Sequence, residues 1–139
     1  MILVVPDVGI RSGVQQDPRE LDRTALRRDV ERGLIAVLMT FMSDDCVFEG
    51  VAGPEACGTR HIGRERVREA FGRVFTAFPD ARFGGARHFV SGDRGLSEWI
   101  FTGTAGDGRK VEVNGCDVFT FRHDKIAVKS SFFKNRTAS

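Results

Sequence analysis

The strongest constraint on the fold is an alternation of apolar and polar residues along positions 109–122. One side of this segment carries apolar residues and a glycine around a single charge: Val111, Val113, Gly115, Asp117, Phe119 and Phe121. A period of two predicts a β-strand with one buried face. A carboxylate on such a face must pair with a cation, stay protonated or face a cavity. Asp117 is therefore the first candidate functional residue.

Three further strands are predicted around this one. His123 and Asp124 form a tight turn, after which residues 125–133 return as the next strand. Residues 82–90 and 96–104 also alternate, and Gly84-Gly85 indicates a bulge or break in the first of them. Together the four segments predict an antiparallel meander.

Three helices are predicted before the meander. Asp17-Pro18 is typical of a helix start, and Gly33 of its end, while residues 34–42 are apolar enough for a second helix. A strand at 46–50 and a loop at 53–63 follow. The third helix has the clearest pattern, and Pro79 ends it: Val67, Ala70, Phe71, Val74, Phe75 and Phe78. This order predicts an α+β fold with helices on one face of the sheet.

Composition and charge indicate the cellular location of the protein and exclude some classes of partner. The 139 residues predict one domain over 18–139, preceded by an arm at 1–17 that is either disordered or pairs with a partner. The 21 basic and 19 acidic residues are well mixed, which argues against a nucleic-acid partner. Three cysteines without a CxxC pair favour neither a disulfide framework nor a zinc site. Without a signal-peptide or membrane-spanning pattern, we expect a soluble, cytoplasmic protein with no membrane partner.

Several segments resemble the SnoaL-like proteins, part of the ketosteroid isomerase and nuclear-transport-factor-like superfamily. They are residues 41–49 (FMSDDCVFE), 63–68 (GRERVR), 98–104 (EWIFTGT) and 117–122 (DVFTFR) with the following Lys125-Ile126. The resemblance implies a cystatin-like fold, in which three N-terminal helices wrap a curved antiparallel sheet into a cone. It also implies a deep apolar pocket for a small molecule and, frequently, a homodimer formed through the outer face of the sheet. The fold hosts isomerases, dehydratases, cyclases, epoxide hydrolases and non-catalytic domains.

The resemblance also suggests roles for individual residues. Asp117 matches the protonated aspartate in the oxyanion hole of ketosteroid isomerase. The isomerase's base position falls on Gly50, with Glu49 one place short, and an offset of one turns a side chain to the other face unless a bulge intervenes. The chain has no tyrosine, so steroid isomerisation by that mechanism is not expected. The His and Asp of the SnoaL cyclase fall on Phe119 and on Ser131 or its neighbour.

The remaining candidates depend on which way their side chains face. Lys129 lies opposite Asp117 in one register of the turn and is an ordinary solvated lysine in another. His61 is placed at a pocket rim or on a surface loop, and the bulge leaves the direction of His88 open. The catalytic candidates are Asp117, Lys129, Glu49 and His61, and the substrate-binding candidates are Trp99, Phe101, Phe119, Phe133 and His88. The His and carboxylate residues do not have the spacing of metal ligands, so no metal site is predicted.

We therefore predict a cofactor-free acid/base isomerase, dehydratase or cyclase acting on an apolar, carbonyl-bearing small molecule. The alternative is a non-catalytic module of the same fold that binds a hydrophobic ligand or a partner. A second titratable group facing Asp117 distinguishes the two, because proton transfer needs one.

Overall fold

The structure, a computed structural model, describes the backbone of residues 23–137 and the side chains of residues 32–137. This part of the chain contains α1 (Arg23–Phe41), β1 (Met42–Glu49), β2 (Arg60–Ile62), α2 (Arg64–Ala77), β3 (Arg82–Ser91), β4 (Arg94–Thr104), β5 (Lys110–Arg122) and β6 (Lys125–Phe133). The six strands form one sheet in the order β2-β1-β6-β5-β4-β3. The predicted α+β class is confirmed. The predicted arm and the helix start at Asp17-Pro18 lie outside the described residues.

The predicted meander is confirmed as the antiparallel strands β3 to β6. His123 and Asp124 connect β5 to β6 with φ of 51° and 60°, the pair of positive angles that a two-residue hairpin turn requires. Beyond the meander, β1 runs parallel to β6, and β2 pairs antiparallel with β1. The prediction of a loop over 53–63 is therefore wrong at Arg60–Ile62, which form β2. The backbone of these residues forms hydrogen bonds with the edge of β1 that β6 leaves unpaired.

The helices differ from the prediction before β1 and agree with it after β2. A single helix, α1, runs through Gly33, where two helices were predicted. A glycine inside a helix costs only about 1 kcal/mol, and Ile35 and Met39 beyond it pack in the core. The predicted strand at 46–50 begins earlier, at Met42. By contrast, α2 ends before Pro79, as predicted.

Neither described helix is long and apolar enough to cross a membrane.

Two bulges set the direction of the side chains on the inner face of the sheet, defined as the face that carries Asp117. In β3, Gly84 pairs with Ile100 but Arg87 pairs with Glu98, so one extra residue is inserted, and Gly85 has a φ of 63°. The bulge predicted at Gly84-Gly85 is confirmed.

The second bulge lies in β6. Ile126 pairs with Phe121 and Val128 pairs with Thr120, which leaves Ala127 as the extra residue. An insertion of one residue turns every later side chain to the other face. Lys129 consequently lies opposite Phe119, on the inner face.

Two apolar clusters flank Asp117 along β5. The larger joins α1, α2 and the first strands: Met39, Met42, Cys46, Val67, Phe71, Phe119 and Ile126. The other is aromatic and lies on β3, β4 and the end of α2: Phe78, Phe83, Trp99 and Phe101. Trp99 lies over Gly115, where a Cβ atom would come within 2.3 Å of the indole ring. Glycine at this position therefore makes room for Trp99.

We predict that Gly33→Ala stabilises the fold by about 1 kcal/mol and raises Tm by about 3 °C, because alanine restricts the unfolded chain and favours the helix. A Cβ atom at Gly33 meets nothing within 4 Å. Thermal and denaturant unfolding measure the change.

Gly63→Ala is the matched control. Space around Gly63 is equally free, but its φ is +89°, which strains alanine. This variant is expected to lose stability, and a gain in both variants would contradict the conformational explanation.

Candidate functional site

Two rows of side chains cross the inner face of the sheet. The first row contains directly opposed residues of β6, β5, β4 and β3: Ser131, Asp117, Ser97 and His88. The second row contains directly opposed residues of β2, β1, β6 and β5: His61, Phe48, Lys129 and Phe119. Opposed residues point to the same side, as do residues two apart on one strand. The two rows are therefore neighbours, joined through β5 and β6.

Asp117, Ser131 and Lys129 form a hydrogen-bonded group that we call the Asp117 cluster. The ammonium Nζ of Lys129 donates to Asp117 Oδ1 at 2.9 Å and to Ser131 Oγ at 3.0 Å. Ser131 Oγ donates to the same Asp117 oxygen at 2.5 Å. Asp117 is only 9% exposed and Ser131 is also buried. The inner face therefore carries a carboxylate and an ammonium ion in direct contact.

Aromatic rings surround the cation of this cluster. Lys129 Nζ lies 4.9 Å from the ring centre of Phe48 on β1 and 5.6 Å from that of Phe71 on α2. Both distances allow a cation–π attraction, which is stronger where water is excluded. Phe71 lies on the buried side of α2, the helix whose periodic pattern is clearest in the sequence. The packing of α2 on the sheet thus supplies one side of the site.

The carboxylate of Asp117 is not saturated by these contacts. Both donors bond to Oδ1, and no described residue donates to Oδ2. The side chain keeps 13% of its surface exposed. A proton can therefore be exchanged with a bound molecule without first breaking the contact with Lys129.

His88 and Ser97 form a second polar contact at the other end of the first row. His88 Nδ1 lies 2.7 Å from Ser97 Oγ, within hydrogen-bonding distance. Ser97 is buried and stands directly opposite Asp117, while His88 is half-buried. The bulge in β3 turns His88 to this face. The side chain of His88, whose direction the sequence left open, therefore points to the inner face.

His61 lies at the far end of the second row. Its ring stacks on Phe48, with 5.7 Å between the ring centres. Burial lowers the pKa of the His61 imidazole, and the positive charge of Arg73 lowers it further. The neutral ring therefore predominates at neutral pH. Phe48 separates it from Lys129, because β1 lies between β2 and β6.

The family follows from a match over most of the chain. A model of the SnoaL-like domain matches residues 24–129. The chain belongs to the SnoaL-like family. The resemblance noted in the sequence is thereby confirmed. No curated protein sequence matches this SnoaL-like domain.

Solved structures with the same fold are similar to this domain at low sequence identity. A candidate polyketide cyclase from Xanthomonas campestris is 18% identical, with a TM-score of 0.65, over 80% of this chain and 86% of its own. A candidate SnoaL-like polyketide cyclase from Jannaschia sp. CCS1 is 19% identical, with a TM-score of 0.65, over 88% and 92%. A protein of ketosteroid isomerase-like fold from Catenulispora acidiphila, solved with trimethylamine, is 17% identical, with a TM-score of 0.60, over 70% and 73%. These similarities establish the fold.

Glu49, a catalytic candidate from the sequence, does not reach the Asp117 cluster. It stands opposite Ser130 and Arg60 on the outer face, where its carboxylate lies 3.4 Å from the Arg60 guanidinium. The offset of one residue from the isomerase's base position thus turns the side chain away from Asp117. Lys129, His61 and His88 do share the inner face with Asp117.

The four aromatic candidates also differ in their surroundings. Trp99, Phe101 and Phe119 are buried, whereas Phe133 is 46% exposed, although it stands opposite Gly115. The three buried rings lie on both sides of Asp117: Trp99 and Phe101 belong to the aromatic cluster, and Phe119 belongs to the larger apolar cluster.

Sequence reasoning missed Ser97 as a member of the site. Its signal was the alternation along β4, which places it two residues before Trp99 and on the same face. The sequence indicated Ser131 only through the resemblance, in which Ser131 or its neighbour stands at the position of the Asp of the SnoaL cyclase. Among the described residues, no group of three or more His, Cys, Asp or Glu side chains could hold a metal ion.

A groove of about 740 Å³ lies elsewhere, at the end of α1, and its cations already have partners. Arg64 donates to the carbonyl oxygens of Met39 and Met42, and Lys125 donates to that of Thr40. These bonds satisfy carbonyl groups at the helix C-terminus. Arg122 bonds to Asp45 across the same groove. The hydrogen bond from Ser43 contributes most to lowering the pKa of this exposed carboxyl group, and the positive charge of Arg122 lowers it further. The groove thus has a structural role.

We predict that Asp117→Asn destabilises the fold by about 3 kcal/mol, because it leaves a largely buried ammonium ion without its counter-charge. Lys129→Met is expected to destabilise by a similar amount. Urea unfolding of both single variants and the double variant measures the coupling between the two positions. We expect the double variant to lose clearly less than the sum of the single losses; additive losses would contradict a direct ion pair.

Proposed function

We propose that this domain is a cofactor-free acid/base enzyme that removes a proton next to a carbonyl group of an apolar small molecule. That step is shared by isomerases, dehydratases and cyclases. The observation that carries the proposal is the contact between Asp117 and Lys129 on the buried face of the sheet. It supplies a proton acceptor and a positive charge side by side, the two groups that formation of an enolate needs.

The two side chains have complementary parts in the proposed step. Asp117 accepts the proton of the substrate carbon on Oδ2, the oxygen to which no described residue donates. The electron pair of the broken C–H bond moves into the substrate, and negative charge develops on its carbonyl oxygen. Lys129 has three N–H donors, of which two point to Asp117 and Ser131. The third stabilises the developing oxyanion, and returning the proton to another atom completes an isomerisation.

The type of base also indicates the kind of substrate. Aspartate carboxylates are weak bases, so Asp117 suits a carbon whose proton is already acidified, such as one between two carbonyl groups. The buried rings of Trp99 and Phe101 on one side of Asp117, and of Phe119 on the other, favour a flat, apolar molecule. Polyketide chains combine both properties, and two of the structural neighbours are named as candidate polyketide cyclases.

Exchange of the acidic C1 protons of 2-tetralone into D2O, followed by proton NMR, tests the proposal. This ketone is flat and apolar, and the exchange of its C1 protons requires no cofactor. We expect the wild-type protein to accelerate exchange above the buffer rate and Asp117→Asn to lose at least about 100-fold of that acceleration. Rates are compared at a temperature at which circular dichroism shows each variant folded.

Asp124→Asn is the matched control for the exchange experiment. Asp124 lies in the exposed turn with a φ of 60°, which asparagine adopts readily. This variant is expected to exchange at the wild-type rate. Exchange no faster than buffer, or full activity of Asp117→Asn, would contradict the acid/base proposal. Binding of 2-tetralone without exchange would favour the non-catalytic ligand-binding module.

We also propose that the protein is a homodimer formed through the outer face of the sheet. Large apolar side chains exposed on the strands of that face include Phe89, Ile100 and Phe132. Beside them, Arg87 and Glu98 form an ion pair of 3.0 Å. A two-fold axis brings the same patch of two copies together, so each charge can meet its opposite in the partner. The family resemblance implies the same surface.

Light scattering at micromolar concentration is expected to give about twice the 15.4 kDa chain mass. Phe132→Glu places a charge on a side chain that is 55% exposed on the proposed interface, so this variant should approach the monomer mass. Val51→Glu, an exposed apolar residue in the loop after β1, is the control and should leave the dimer intact. A monomeric wild-type protein would rule the proposal out.

A further inference from the structure

We infer that His88, Ser97 and Trp99 form a second polar subsite, which binds an oxygen atom of the substrate at the end opposite the Asp117 cluster. The inference rests on the proposed function and adds the number and placement of oxygen atoms that the substrate carries. A hydroxyl or carbonyl group is the chemistry that such a subsite recognises.

The first observation is the direction and fixation of His88. The β3 bulge turns this residue to the inner face, directly opposite Ser97, and the 2.7 Å contact with Ser97 Oγ holds its ring through Nδ1. No described residue forms a hydrogen bond with the other ring nitrogen, Nε2. A ring held at one nitrogen presents the second to a ligand in a fixed direction.

The second observation is independent and concerns Trp99. Its indole Nε1 is buried and has no hydrogen-bond partner in the described part of the chain. A buried indole N–H usually finds an acceptor, and leaving one unpaired is unfavourable. Trp99 follows Ser97 by two residues on β4, so both side chains project from the same face. A ligand oxygen would supply the acceptor that the protein does not provide.

The spacing of the strands sets the length of a substrate that reaches both ends. Asp117 lies on β5 and His88 on β3, with β4 between them. Neighbouring strands are about 4.8 Å apart, so the two residues are separated by about 10 Å across the sheet. Two fused six-membered rings with an oxygen at each end fit that span. The substrate class is therefore a fused bicycle, or a chain folded to that size, with one oxygen at the Asp117 cluster and another at the second subsite.

Two matched ligands test this inference, 2-tetralone and 6-hydroxy-2-tetralone. They share the ketone, and only the second has an oxygen at the far end of the bicycle. Calorimetric titration of the wild-type protein should show that the hydroxylated ligand binds about tenfold more tightly, as expected for one or two added hydrogen bonds. The ratio of the two Kd values is compared between variants, because a substitution that weakens the binding of both ligands equally leaves this ratio unchanged.

Ser97→Ala and Trp99→Phe are each expected to reduce the ratio to about threefold or less, and their combination to about one. Ser97→Ala removes one hydroxyl group and releases His88, so it remains informative if the smaller ring at 99 weakens the fold. Ser130→Ala, on the outer face of β6 opposite Glu49, is the control and should keep the tenfold ratio.

The results distinguish failure of this inference from failure of the proposed function. Equal affinity for the two ligands, or a tenfold ratio that survives both variants, overturns the second subsite even where 2-tetralone exchange is catalysed. Absence of binding by either ligand overturns it as well. A ratio that falls as expected supports the subsite, whatever the exchange rate of the Asp117→Asn variant.

Discussion

The ion pair between Asp117 and Lys129 is the contact on which the arrangement of the inner face depends. Removing a carboxylate and an ammonium ion from water costs several kcal/mol for each, and their attraction offsets this only with good geometry and further hydrogen bonds. Ser131 supplies those bonds, and the rings of Phe48 and Phe71 surround the cation. Well-packed apolar residues would stabilise the same place at least as well. The fold's stability alone therefore does not account for the pair.

The ion pair with Lys129 also argues for a different role of Asp117 from the one that the family resemblance implies. In ketosteroid isomerase the corresponding aspartate is protonated and donates a hydrogen bond. Here the ammonium group of Lys129 donates a hydrogen bond of 2.9 Å to the carboxylate, so a cationic donor stands beside Asp117. In the proposed step the donor to a substrate oxygen is therefore Lys129, and Asp117 accepts the proton. The same fold can thus support enolate chemistry with the two roles divided differently between its side chains.

The inner face combines one continuous polar row, from Ser131 through Asp117 and Ser97 to His88, with apolar clusters on either side of it. The Asp117 cluster lies at one end of the row and the contact of His88 with Ser97 at the other, and Trp99 follows Ser97 on the same face of β4. An apolar wall supplies most of the binding energy for a small molecule, while a few fixed polar groups set its orientation. In the proposed function, a substrate oriented in this way presents one particular carbon to Asp117, so the second end bears on selectivity as well as on affinity.

The sequence by itself determined the features that depend on local properties of the chain. The period of two isolated Asp117, the spacing after Val67 gave α2, and the turn at 123–124 gave the last hairpin. It did not determine the continuation of α1 through Gly33 or the pairing of β2, which depend on what packs or bonds against them. The direction of Lys129 and His88 was likewise decided by tertiary structure. Each follows a bulge of one residue, and the pairing and packing of the neighbouring strands decide where that extra residue is accommodated.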